Sequence, residues 1–268
     1  MTTERGPQRA DGWTAAVRQR LGLGRLLPLG GAVDGAWIAE TAAASVLRGA
    51  AVPGAVLGML KIGPARAAVG TDPRAEAGPA GAGLAGVGPA GAGSVGAGPA
   101  VPPAPPSALP PGPLRIEAEF RAAGDRPLPD AAAALRAALV TAASARLGLE
   151  VAEVDLRVTA LLEDGATEQV TAPSAASSAS ASVPTAEAEG PAARAAAAVP
   201  GVVSLTRVLG SAVHTAEDHI RIELATAGDH RALDVARSVR TAVSAAAADG
   251  LPVSVLVTDV VPQAGGTP

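Results

Sequence analysis

The sequence predicts an α+β protein built as two tandem αββαβ units, each a three-stranded sheet with helices on one face. Three observations carry that prediction. Segments of helical and of strand periodicity alternate in the order α-β-β-α-β, and the order occurs twice. The two occurrences align without a gap at a constant offset of 104 residues: Ile116 with Ile220, Glu119 with Glu223, Ala123-Gly124-Asp125 with Ala227-Gly228-Asp229, Asp130 with Asp234, Arg136 with Arg240 and Leu147 with Leu251. Each unit also passes from its first helix to its first strand through one kind of step, Val52-Pro53-Gly54-Ala55 in the first and Val199-Pro200-Gly201-Val202 in the second. Pro does not extend a helix and Gly takes the turn, so Pro53, Gly54, Pro200 and Gly201 mark the corners of the units.

Residues 1–31 read as an N-terminal arm, polar to residue 12 and then a short helix from Trp13 to Leu21 capped by Asp11. The first unit spans 32–163. Its opening helix runs from Ile38 to Ala50, on the spacing of Ile38, Ala42, Val46 and Ala50, and its first strand from Val56 to Ile62. A Gly-Pro-Ala-Gly repeat and a Pro-rich tail then fill about 64–113, an insertion read as disordered because it offers too little apolar surface to offset its ordering entropy. The Pro-Gly steps lie 147 residues apart, and the 43-residue excess over the offset matches this insertion. Leu114 to Phe120 alternates apolar and charged residues, the mark of a half-buried strand. A helix follows from about Pro129 to Leu147 with Ala132, Leu135, Leu139, Ala142 and Ala143 on its apolar face, then a strand through Val154, Leu156 and Val158.

Residues 164–190 read as a flexible linker, 191–262 as the second unit and 263–268 as a disordered tail. The last strand of the second unit, Val253 to Val261, is apolar on both faces, which requires cover on both.

Composition excludes several classes. Formal net charge is −4 with no basic run, so no electrostatic footprint for nucleic acid exists. There is no Cys, hence no disulfide framework and no thiolate chemistry. Trp13, Trp37 and Phe120 are the whole aromatic set, and the cores are expected to consist of Val, Leu, Ile and Ala. The most apolar window, Ala36 to Ile62, is broken by Glu40, Arg48 and Pro53 and does not read as a membrane span. No secretory leader is read at the N-terminus, so a cytoplasmic location is expected.

The elements also carry a resemblance. An Ile38-Ala39 start to a small-residue helix, the Val52-Pro53-Gly54 exit, a hairpin, a helix, and the strand Gly148-Leu149-Glu150-Val151-Ala152-Glu153-Val154-Asp155-Leu156-Arg157-Val158 resemble the alkaline shock protein, or envelope stress response, family. The second copy offers Val199-Pro200-Gly201-Val202 and Gly250-Leu251-Pro252-Val253-Ser254-Val255. The resemblance covers roughly two thirds of the chain, with the domain present as a tandem duplication. It implies a non-enzymatic cytoplasmic scaffold, gathered at the membrane through protein partners or self-association and acting in envelope stress. The duplication, the insertion and the arm depart from the family pattern.

Candidate chemistry is sparse. His214, Glu217, Asp218, His219 and His230 gather near the second hairpin, but their spacing is not that of a helical metal pair, and a solvated turn explains them. Asp125, Asp130, Asp229 and Asp234 sit where turns and helix starts favour carboxylates. Arg136 and Arg240 read as solvated helix charges. No catalytic, cofactor-binding or metal residue is assigned. The candidate interaction surface is Trp13, Arg18, Arg25, Leu26 and Leu27 on the arm, a set suited to peripheral membrane contact, with Leu256 and Val260 on the last strand. A lipid- or small-ligand-binding module and a metal-dependent enzyme are the alternatives.

Overall fold

The computed structural model describes residues 22–50, 52–66, 102–105, 107–162, 183–247 and 250–262. These form an α+β protein with four α-helices and two sheets, each mixing parallel and antiparallel pairs. In chain order the elements are β1 Leu26–Pro28, a 3-10 turn Ala32–Asp34, β2 Ala36–Ala39, α1 Glu40–Arg48, β3 Ala55–Pro64, β4 Leu114–Ala123, α2 Leu128–Ala142, β5 Val151–Leu162, β6 Thr185–Ala186, α3 Gly190–Ala197, β7 Val202–Thr206, β8 Val213–Thr215, β9 Ile220–Ala227, α4 Ala232–Ala246 and β10 Val253–Val261.

The smaller sheet has the order β3-β4-β5, with β4 antiparallel to β3 and parallel to β5. Alternation decides its faces. Leu114, Ile116, Ala118 and Phe120 of β4 are buried, while Arg115, Glu117 and Glu119 point away from the core. α2 lays Leu135, Leu139 and Ala142 on the sheet and runs on as a π-helical turn, Ala143–Leu147, that ends at Gly148 in the left-handed region (φ +87°). The neck of the insertion is closed: Ala65 N–H donates to Pro113 O at 2.9 Å.

The larger sheet has seven strands, not three. Its order is β1-β2-β10-β9-β7-β6, with β8 also on β9; β9 is antiparallel to β7 and parallel to β10. The added strands correct the sequence reading at four places. Ala36-Trp37-Ile38-Ala39 is a strand, not the start of a helix, because all four residues are buried and Trp37 pairs in parallel with Leu256 of β10. A ready sheet edge overrides a weak helical period. Leu26–Pro28, read as part of the N-terminal arm, is the next strand of the sheet. Thr185–Ala186, expected within the linker, pairs with β7. Finally, Ser107 to Leu109, expected within the disordered insertion, lies along β1: Leu26 N–H donates to Ser107 O at 3.3 Å and Leu109 N–H to Leu26 O at 2.8 Å. The expected helix over Trp13–Leu21, most of the insertion and of the linker, and the tail lie outside the described residues.

One core joins the two sheets. α1 packs on both β3 and β10, and its Ala42, Ala43 and Ala44 allow close approach. α4 packs on β10 as well. Every residue from Val253 to Thr258 is buried, so both faces of β10 are covered. A strand apolar on both sides takes cover on both, and the helix α1, from the first half of the chain, supplies part of it.

Candidate interaction surface

The arm residues are occupied inside the chain. Leu26 and Leu27 are core residues at 2% and 0% exposure, and Leu256 and Val260 of β10 are buried too. None of the four is free to meet a partner, because each fills the sheet interior that their apolar character demands. Trp13 and Arg18 lie outside the described residues. Arg25 is a clamp rather than an anchor. Its guanidinium donates to both Glu40 carboxylate oxygens, at 3.3 and 3.1 Å, and to Ile62 O, while Ile62 N–H donates back to Glu40 at 3.2 Å. The start of α1 is thereby tied to β3. Burial disfavours the Glu40 carboxylate, yet the bonds from Arg25 and from the Ile62 and Arg25 N–H groups outweigh it and hold the carboxyl below its ordinary range.

The unit corners are structural. Gly54 and Gly201 both adopt positive φ, at +77° and +88°. Gly54 O accepts from Ala123 N–H at 2.7 Å, and Gly201 O from Ala227 N–H at 2.8 Å. Each corner is thus locked to the Ala-Gly-Asp turn across its hairpin. A side chain at Gly201 would also strike Val235 and His230.

The remaining charges are mostly spent on scaffolding. Arg240 is not solvated as expected: it donates to Val253 O at 2.9 Å and also to the Val33 and Asp34 carbonyls. Burial lowers its pKa from the ordinary value. Arg136 donates to Val154 O at 3.3 Å from a more exposed position. Arg237 grips Asp34 with two bonds, 2.8 and 3.1 Å, and that bonding holds the Asp34 carboxyl below its usual range. Asp130 and Asp234 stand in the first turns of α2 and α4, where they oppose the helix dipole without a side-chain cap bond. His219 bonds Asp218 at 2.7 Å and His230 bonds Asp229 at 2.9 Å, and the His214 and His219 rings meet edge to face. Among the described residues no three His, Asp or Glu side chains converge as a metal set.

Glu223 is the group sequence reasoning passed over. It is fully buried; Leu209 N–H donates to one oxygen at 2.9 Å, and Arg221 stands 3.4 Å from the other. Burial pushes its carboxyl up, against the pull of Leu209 and Arg221. Its counterpart at the offset, Glu119, lies on an open sheet. The signal that distinguishes them is the neighbouring strand: Glu223 lies beside Leu256, Glu119 beside Arg157.

What the chain presents outward is the polar face of β3-β4-β5. A shallow hollow of about 350 Å³ is lined there by Met59, Lys61, Arg115, Glu119, Asp155 and Arg157 among others. Arg115 lies amid three carboxylates, Glu117 at 3.3 Å, Glu153 at 3.6 Å and Asp155 closer still. These charges neutralise one another along the sheet. Arg115 thus links β4 to β5 through carboxylates on both strands. No family model, no curated protein and no solved structure matches this chain. Among the described residues no helix is long and apolar enough to cross a membrane.

Proposed function

We propose that the chain is a non-enzymatic scaffold built from a tandem duplication of an αββαβ unit, acting in envelope stress at the cytoplasmic face of the membrane as the alkaline shock protein family does. Duplication is supported by the constant offset, by the shared strand directions about β4 and β9, and by the matching corner bonds of Gly54 and Gly201. The observation that carries the scaffold reading is the open face of β3-β4-β5, whose charges pair along a surface instead of serving a cavity.

Fractionation of native cells tests it. The chain is expected in the membrane fraction, to be released by R115E/R157E, and to leave protein-free liposomes unbound. Recovery wholly in the supernatant, or equal binding to bare liposomes, overturns the reading. Removal of the arm in such work has to stop at residue 21, because Leu23, Leu26, Leu27 and Leu29 are core. A small-ligand module is the second reading, favoured by a cleft of about 550 Å³ beside Thr185, Glu187, Glu189, Arg207 and Ser211; a shift of melting temperature with a polar metabolite set would support it.

A further inference from the structure

β5 is an end strand, and among the described residues no strand pairs with its second edge. It is twelve residues long, has no Pro to blunt it, and pairs with β4 without a register shift from Glu153 to Val158. β10 holds the matching place in the larger sheet, parallel to the central strand, and there the chain covers the second edge itself by laying β2 along it. What fits the edge of β5 is therefore another strand. Its apolar side chains are incompletely covered: Val154 and Leu156 are half-buried, and Val158 is 38% exposed.

We infer that β5 of a second copy of the chain takes this edge, antiparallel about a two-fold axis at Leu156, joining two three-stranded sheets into one of six. The inference deepens the scaffold reading and rests on it for the choice of a second copy as partner. The strand is complementary to itself about Leu156. Pairing centred there sets Leu156 against the partner's Leu156 and Val154 against the partner's Val158 on the helix side. On the outer side it sets Asp155 against the partner's Arg157 and Arg157 against the partner's Asp155. Side chains directly opposite in such a pair lie about 5 Å apart, within reach of these contacts. The neighbouring registers are worse. A slip that centres on Asp155 or on Arg157 opposes like charges, and a slip to a centre between residues mixes the two faces. Arg115 bonds Asp155 through Oδ2, which orders that side chain on the outer face.

Sedimentation of the full chain is the first test, with an expected mass of twice 25.9 kDa at micromolar concentration. R157D alone and D155R alone are each expected to weaken dimerisation by at least about tenfold, by replacing attraction with repulsion at two symmetric positions. An equimolar mixture of the two is expected to dimerise again, since an Asp pair then faces an Arg pair; that recovery also proves both variants folded. The chain has no Cys, so L156C introduces a single thiol. It is expected to form a disulfide-linked dimer on mild oxidation, while V203C, on an exposed position of the other sheet, is not. A wild-type chain that stays monomeric, or a charge-swapped mixture that stays monomeric with L156C uncrosslinked, overturns the inference. A monomer still recovered with membranes removes only the edge pairing; a β5-linked dimer absent from membranes removes only the scaffold reading.

Discussion

Gly148 and Gly250 each open a Gly-Leu step ahead of a strand, β5 and β10, and both adopt positive φ, at +87° and +63°. Their surroundings differ. A Cβ built on Gly148 would stand 2.5 Å from Leu233 Cβ and 2.9 Å from its Cδ2, at the seam where the π-helical turn meets α4. A Cβ on Gly250 meets nothing within 4 Å. Ala at either position carries the left-handed penalty of about 1 kcal/mol. At Gly148 it also forces apart a packed contact, at about 2 kcal/mol more. G148A is therefore expected to cost about 3 kcal/mol and G250A about 1 kcal/mol. In a domain of this size the 2 kcal/mol gap corresponds to melting temperatures separated by about 4–8 °C. Differential scanning calorimetry of the two variants, with urea unfolding as a second measure, reads the gap directly. Equal losses would refute the seam between Gly148 and Leu233, and with it the packing of the π-helical turn on α4.

Glu223 sets a pH dependence. Its folded pKa is raised, so the stability it contributes is complete below the unfolded carboxyl value and is lost as pH rises through the folded one. Melting of E223Q against wild type is expected to show the variant gaining on wild type between acid and neutral pH; a difference constant with pH refutes the burial assigned to Glu223. Glu40 behaves oppositely. Its folded pKa is lowered, so its contribution is present above the ordinary carboxyl range and lost as pH falls through the folded value. E40Q is expected to cost about 1.5 kcal/mol at pH 7 and to flatten the acid limb of the stability curve, by urea titration at several pH values. R240A, which orphans the Val33, Asp34 and Val253 carbonyls, is expected to cost about 2 kcal/mol, against less than about 1 kcal/mol for R136A; equal losses in urea would show that Arg240 is not the more embedded of the two.

Much of this architecture was legible in the residues. Alternation along Leu114–Phe120 placed β4 and its faces, and the helical spacing of Leu135, Leu139 and Ala142 placed α2. The two-faced apolar pattern of Val253–Val260 required cover on both sides of β10, and both sides are covered. What escaped was the source of that cover. Short strands such as Leu26–Pro28 and Thr185–Ala186 have too few residues to show a period, and they exist only because an edge elsewhere in the chain accepts them. Leu26, Leu27 and Arg25 looked like an anchor because basic and apolar residues adjoin in the sequence; the fold separates them, sending the leucines inward and the guanidinium to Glu40. Glu223 escaped because a carboxylate within an alternating strand gives no sign by itself that its face is closed.

The pairing of Trp37 with Leu256 has a consequence for synthesis. β2 leaves the ribosome 219 residues before the strand that completes it. During that interval Ala36-Trp37-Ile38-Ala39 is an apolar segment with an unfilled hydrogen-bonding edge. Local order in the smaller sheet is free to form first, but the N-terminal strands wait for β10. Contacts so distant in sequence slow folding and lengthen exposure of nascent surface. A translation stall or truncation ahead of Val253 would leave that surface permanently open, so the chain is expected to depend on holding chaperones far more when interrupted there than when intact.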